Sequence, residues 1–177
     1  SCNLAVGGRG GTLAEGDSNS GVLVGGGASA SVGSGDLQIT GAGGGSAASG
    51  YNYGVSVDGA GVITSIGSGN VNVIGTGGNG SGDNNYGVKL YGSNSQITSS
   101  GGDVTVTGLG GGTGAAAWNI GVLVYDAAKV AAGGNGTTQI NGTGGLADGP
   151  SNHGISLWHE NTIVTSGGGD VILNGQG

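Results

Sequence analysis

Apolar and polar residues alternate in short bursts along this chain, and the bursts return at a fixed interval. The pattern Asn-x-Gly-[Val/Ile]-x-[Val/Leu] recurs at Asn19–Val24, Asn52–Val57, Asn85–Leu90, Asn119–Val124 and Asn152–Leu157. Its glycines, Gly21, Gly54, Gly87, Gly121 and Gly154, are separated by 33, 33, 34 and 33 residues. A second marker keeps the same phase. Asn3, Asp36, Asn70, Asp103, Thr137 and Asp170 each precede a three-residue run followed shortly by glycine, as in Leu37-Gln38-Ile39 or Val104-Thr105-Val106. Self-similarity at such a period is the signature of a repeat architecture.

Within each unit the apolar residues sit two apart (Val22/Val24, Val55/Val57, Val104/Val106), the period of a pleated strand. β-branched residues dominate the runs and glycines bound them. A third apolar patch, at Val32, Val62-Ile63, Ile97, Val130 and Ile163-Val164, drifts in register by a residue or two. The expectation is three short strands per unit, joined by tight turns and one longer Gly-rich loop starting at Gly41, Gly75, Gly108 and Gly142. Such a unit has too few large apolar residues to bury its own face, so successive units must stack. The predicted fold is all-β: a right-handed parallel β-solenoid of about 33 residues per coil. Residues 1–177 form one array of about five coils, read as a window on a longer repetitive chain or fibre. Glycine is expected at corners, where positive φ or close backbone approach is needed.

Composition narrows the function. Of 177 residues 49 are Gly, only 7 % are charged, and the net charge is −7. Arg9, Lys89 and Lys129 cannot form a basic stripe, which argues against nucleic acid as a partner. No apolar run of about 18 residues predicts a membrane-inserted helix. Cys2 has no partner cysteine, so no disulfide framework exists. The sequons at Asn79, Asn135 and Asn141 match chance expectation in a chain of this composition.

The recurrent Asn19, Asn52, Asn85, Asn119 and Asn152 are expected to stack as an amide ladder along the rod. The mixed Asp/Asn/Thr column reads as turn residues bonding amides just downstream, rather than as calcium ligands, which would need clustered carboxylates. Gly77–Asp83 resembles the nonapeptide of calcium-binding β-rolls but has no tandem copy; no cofactor is expected, with calcium the weak alternative. No catalytic constellation is found, so the chain is not expected to be an enzyme. His153 falls in the column of Ser20, Tyr53, Tyr86 and Ile120, and reads as a stacked side chain. Tyr91, Tyr125 and Trp158 share a column beside Asp58, Asp126 and Glu160; they form a candidate surface-contact strip, with ladder packing the preferred reading. A regular Thr-x-Thr array, as for ice binding, is met only at Thr105/Thr107.

The runs Ser100-Gly101-Gly102-Asp103-Val104-Thr105-Val106-Thr107-Gly108 and Gly168-Gly169-Asp170-Val171-Ile172-Leu173-Asn174-Gly175 resemble repeats of very large secreted bacterial proteins. These are the filamentous-haemagglutinin-like and autotransporter-type β-helical adhesins. That resemblance implies an extracellular or cell-surface location and a structural role: a rigid segment of a fibre or adhesin, supporting attachment, matrix cohesion or filament assembly. Its partners would be other copies or neighbouring repeats, and surface glycans. The alternative is a carbohydrate-binding or carbohydrate-cleaving solenoid that uses the aromatic and acidic column.

Overall fold

The computed structural model describes residues 2–12 and 16–177. Coil 1 comprises β1 (Leu4–Arg9), β2 (Val22–Val24) and β3 (Ser29–Val32); coil 2 comprises β4 (Leu37–Ala42), β5 (Val55–Val57) and β6 (Val62–Ser65). Coil 3 follows as β7 (Val71–Thr76), β8 (Val88–Tyr91) and β9 (Gln96–Ser99). Coil 4 is β10 (Val104–Leu109), β11 (Val122–Tyr125) and β12 (Lys129–Ala132). Coil 5 is β13 (Thr138–Thr143), β14 (Ile155–Trp158) and β15 (Ile163–Ser166), after which β16 (Val171–Gln176) adds one further strand.

Each strand pairs in parallel with its equivalent one coil away, giving sheet 1 (β1-β4-β7-β10-β13-β16), sheet 2 (β2-β5-β8-β11-β14) and sheet 3 (β3-β6-β9-β12-β15). The chain is an all-β parallel β-solenoid of about five coils, with no helix among the described residues. Gly41 pairs with Gly75 and Gly75 with Gly108, so the repeat spacing in sequence is the strand register in space. One continuous core runs along the axis. Leu37, Ile39, Val71, Val73, Val104, Val106 and Ile140 line it from sheet 1, facing Val55, Val57, Val88, Leu90, Val122 and Val124 from sheet 2.

Two expectations need correction. The third patch has a fixed register: Ala30, Ile63, Ile97, Val130 and Val164 align, whereas Val32 belongs to the column of Ser65, Ser99 and Ala132. Val62 and Ile163 fall in a further column, with Ser29, Gln96 and Lys129. The drift arose because a small inward residue, Ala30, lies in the patch's column while a larger one, Val32, lies two places on.

The strands of sheet 1 also run through Gly41, Gly75, Gly108 and Gly142 instead of ending there. The loops beyond them are tied into the stack. Gly44, Gly78, Gly111 and Gly145 donate their N–H groups to the carbonyls of Asn19, Asn52, Asn85 and Asn119 at 2.7–2.8 Å.

Close approach, more than dihedral freedom, sets the glycine columns. A Cβ on Gly41, Gly75, Gly108 or Gly142 would lie 2.0 Å from the carbonyl oxygen of Gly54, Gly87, Gly121 or Gly154 respectively. Sheets 1 and 2 therefore meet backbone to backbone along two facing glycine files. Positive φ falls largely on other residues, including Ser18, Tyr51, Asn84, Trp118 and Ser151, one per coil, each just before the recurrent asparagine.

Candidate functional site

Two features combine polar or aromatic side chains along the rod: a buried amide file and an aromatic face. In the file, Asn19 donates from its backbone N–H and its side-chain amide to Asn52 Oδ1, at 3.1 and 3.0 Å. Asn52 does the same to Asn85, Asn85 to Asn119 and Asn119 to Asn152, with amide-to-amide distances of 2.9, 3.0 and 3.1 Å. Asn52, Asn85 and Asn119 are fully buried, and the spare amide hydrogens are satisfied locally, Asn52 by Ser49 and Asn85 by the Gly82 carbonyl. Among the described residues no buried side-chain nitrogen or oxygen lacks a partner.

The Asp/Asn/Thr column works differently from expectation. Its side-chain oxygens reach along the axis, not downstream in the turn. Asn3 Oδ1 accepts from the Asp36 N–H at 2.9 Å, Asp36 from Asn70 at 2.8 Å, Asn70 from Asp103 at 2.9 Å, and Asp103 from Thr137 at 2.7 Å. A further pair behaves likewise: Asp17 accepts from Gly50 and Asp83 from Ala117, both at 2.8 Å. Asp83, the acidic residue of the β-roll-like stretch, is thus engaged in coil stacking. No group of three or more His, Cys, Asp or Glu side chains placed to hold a metal occurs among the described residues.

The aromatic face was only partly legible. Tyr91, Tyr125 and Trp158 do share one backbone column, and the rings of Tyr91 and Tyr125 stack at 4.6 Å between centroids. Trp158 leaves that stack: its indole lies parallel to Trp118 at 6.2 Å and against His159 at 4.7 Å. A second stack, Tyr53 on Tyr86 at 5.3 Å, runs beside the first. Tyr86, Ile120 and Leu123 form a small hydrophobic cluster, against which Tyr53 and Tyr125 pack. Tyr53, Tyr86, Tyr91, Tyr125, Trp118 and Trp158 thus gather on or beside the outer face of sheet 2.

Residues such as Tyr86 and Tyr91 are five apart, and an unbroken strand would point them to opposite faces. The bend at Gly87 breaks the alternation and brings both to one side. No strict period-2 reading could have found this. The contribution of Lys89, a lone cation amid a strand, was also missed.

Lys89 extends between the two stacks, its Nζ 4.9 Å from the Tyr53 ring centre and 5.3 Å from that of Tyr91. It faces Asp58 at 3.6 Å. Burial lowers the ammonium's affinity for its proton, and Asp58 partly restores it. Burial, reinforced by neighbouring tyrosines, pushes Tyr125 up to about 12 and raises Tyr53 and Tyr86 as well. These phenols stay protonated at neutral pH and remain hydrogen-bond donors, as when Tyr86 donates to Asn84 Oδ1.

The histidines divide. His153 is exposed in the Tyr53/Tyr86 column, while His159 Nδ1 sits 2.9 Å from Asp126 at the turn beyond sheet 2, with Glu160 nearby. The sequons fall in unlike places. Asn79 and Asn135 are exposed outside the strands, but Asn141 lies within β13, accepting from Asn174 and Gln139. Compared with known proteins, the chain matches no family model, no curated protein and no solved structure.

Proposed function

We propose that this chain is a structural segment of an extracellular fibre or adhesin, a stiff rod that supports attachment, matrix cohesion or filament assembly. The observation that carries this reading is the uninterrupted axial bonding: three parallel sheets, the buried asparagine file and the acidic column all join each coil to the next. Load along or across such a rod is shared by many backbone bonds at once, so it resists bending without a large core. The low charge and the Gly-rich composition support a scaffold reading. Its partners are other copies or neighbouring repeats, at the cell surface or in the surrounding matrix.

Electron microscopy of the native material, with immunolabelling of intact cells, tests this. Labelled surface rods or filaments are expected; label confined to the cell interior would overturn the proposal. A second reading, carbohydrate binding, is favoured by one observation, the stacked aromatic rings gathered on or beside the outer face of sheet 2. It predicts glycan binding that is lost when Tyr91, Tyr125 and Trp158 are changed to Ala.

A further inference from the structure

The outer face of sheet 2 is not uniform along the axis. At coils 4 and 5 it is filled by Leu123, Ile120 and the paired indoles. At coils 1 to 3 it opens into a groove of about 420 Å³ lined by Ser18, Ser20, Leu23, Tyr53, Ser56, Asp58 and Lys89. The opening follows from side-chain size. Leu23, Ser56 and Lys89 stand in register on successive strands, and Ser56 is small and buried. The Lys89 side chain reaches across coil 2 to Asp58 and Tyr53, and the depression lies between that side chain and Leu23.

The lining restricts what could enter. Lys89 and Asp58 neutralise one another, and the chain as a whole carries −7, so an anion gains no net attraction. A cation would meet the Lys89 ammonium. A purely apolar ligand would desolvate the ion pair and the hydroxyls of Ser18 and Ser20 without replacing their hydrogen bonds, which is costly. A neutral polyhydroxylated ring meets none of these objections. The 3.6 Å gap between Lys89 and Asp58 exceeds ordinary hydrogen-bond length, so both ends keep capacity for hydroxyl groups. Ser56 already donates to Asp58 at 3.2 Å and holds the carboxylate in place. Leu23, 63 % exposed at the groove's edge, offers an apolar platform for ring C–H groups. The stacked tyrosines give their faces to one another and to Lys89, so recognition falls to this polar clamp rather than to aromatic stacking.

We infer that this groove is the binding subsite for a neutral oligosaccharide, held between the Lys89–Asp58 pair and Leu23. The inference rests on the carbohydrate-binding reading and places it at coils 1 to 3, away from Trp158.

Isothermal titration of the whole chain with cellohexaose, xylohexaose and mannohexaose tests it, with hexagalacturonate as the charged comparison. At least one neutral hexamer is expected to bind. Lys89→Met and Asp58→Asn should each weaken that binding about tenfold or more, from the loss of a charge-assisted hydrogen bond. Leu23→Glu should do the same, and because Leu23 is exposed this variant keeps the fold. Trp118→Ala, outside the groove, should leave affinity unchanged. If none of the neutral hexamers binds, both the groove and the carbohydrate reading fall. If one binds and Lys89→Met, Asp58→Asn and Leu23→Glu keep full affinity, the groove assignment alone is overturned. Tighter binding of hexagalacturonate than of any neutral hexamer would overturn the assigned ligand class.

Discussion

A single side chain carries unusual weight in this fold when its bonds run along the axis. Asn85 Oδ1 accepts from both the backbone N–H and the side-chain amide of Asn52, at 3.4 and 2.9 Å, while its own amide donates to Gly82 and Asn119. Asn85→Ala leaves buried donors on Asn52 with a lost acceptor and strips a donor from the Gly82 carbonyl. The expected cost is about 2–4 kcal/mol, since an unsatisfied buried polar group costs about 1–3 kcal/mol. Asn19 lies at the start of the file, where its side chain donates to Asn52 and to the Gly16 carbonyl but accepts from no earlier asparagine. Asn19→Ala is therefore expected to cost about 1 kcal/mol. Urea unfolding of the two variants compares them directly; equal costs would show that the file is not cooperative. The asparagines themselves were plain in the sequence, because one residue type recurred in every unit. That the acidic column serves the same axial purpose was not, because a carboxylate bonding the next residue but one and a carboxylate bonding the next coil leave the same local pattern.

At the scale of the strand, spacing identified the elements and glycine marked their limits imperfectly. Alternating apolar residues mark the first two strands in most coils, while Gly41, Gly75, Gly108 and Gly142, whose local sequence signals the start of a loop, lie inside strands. Glycine ends most strands because it weakens them. Here it is retained inside the strand because the carbonyl of a neighbouring sheet occupies the place of a side chain. Gly75→Ala puts a methyl group 2.0 Å from the Gly87 oxygen and 2.8 Å from the Val88 side chain, so backbone must move. A loss of about 3 kcal/mol or more is expected from such overpacking. Gly33→Ala is the matched comparison: nothing lies within 4 Å of the added carbon. That variant should be neutral or stabilised by less than about 1 kcal/mol through the unfolded chain. Thermal melts of both variants separate glycine kept for close contact from glycine that is merely tolerated.

The whole molecule is nearly one-dimensional, since each coil touches only the coils before and after it. Stability in such an array is close to a sum of unit and interface contributions. Excising residues 71–103 removes β7, β8 and β9, one full period, and joins Asn70 to Val104 in the register that Val71 held against Leu37. The shortened chain should fold with the same strand signature in circular dichroism and with modestly lower stability. Removing residues 71–87 instead breaks the phase of every later strand, and that chain should fail to fold cooperatively. Equal tolerance of both deletions would contradict the stacking that defines the rod. The sheet-2 groove belongs to this scale as well, because Leu23, Ser56 and Lys89 come from three different coils and meet only through their register.

The repeat period, strand character and stacked arrangement were all present in the sequence, because in a solenoid the residues that touch are those one fixed interval apart. Periodicity along the chain then becomes adjacency in space. What escaped it was every contact between columns: glycine file against glycine file, tyrosine stack beside tyrosine stack, lysine laid across to an aspartate. Those depend on how the backbone bends between strands and how side chains of unequal size fill one face, and neither bend nor filling has a period to read.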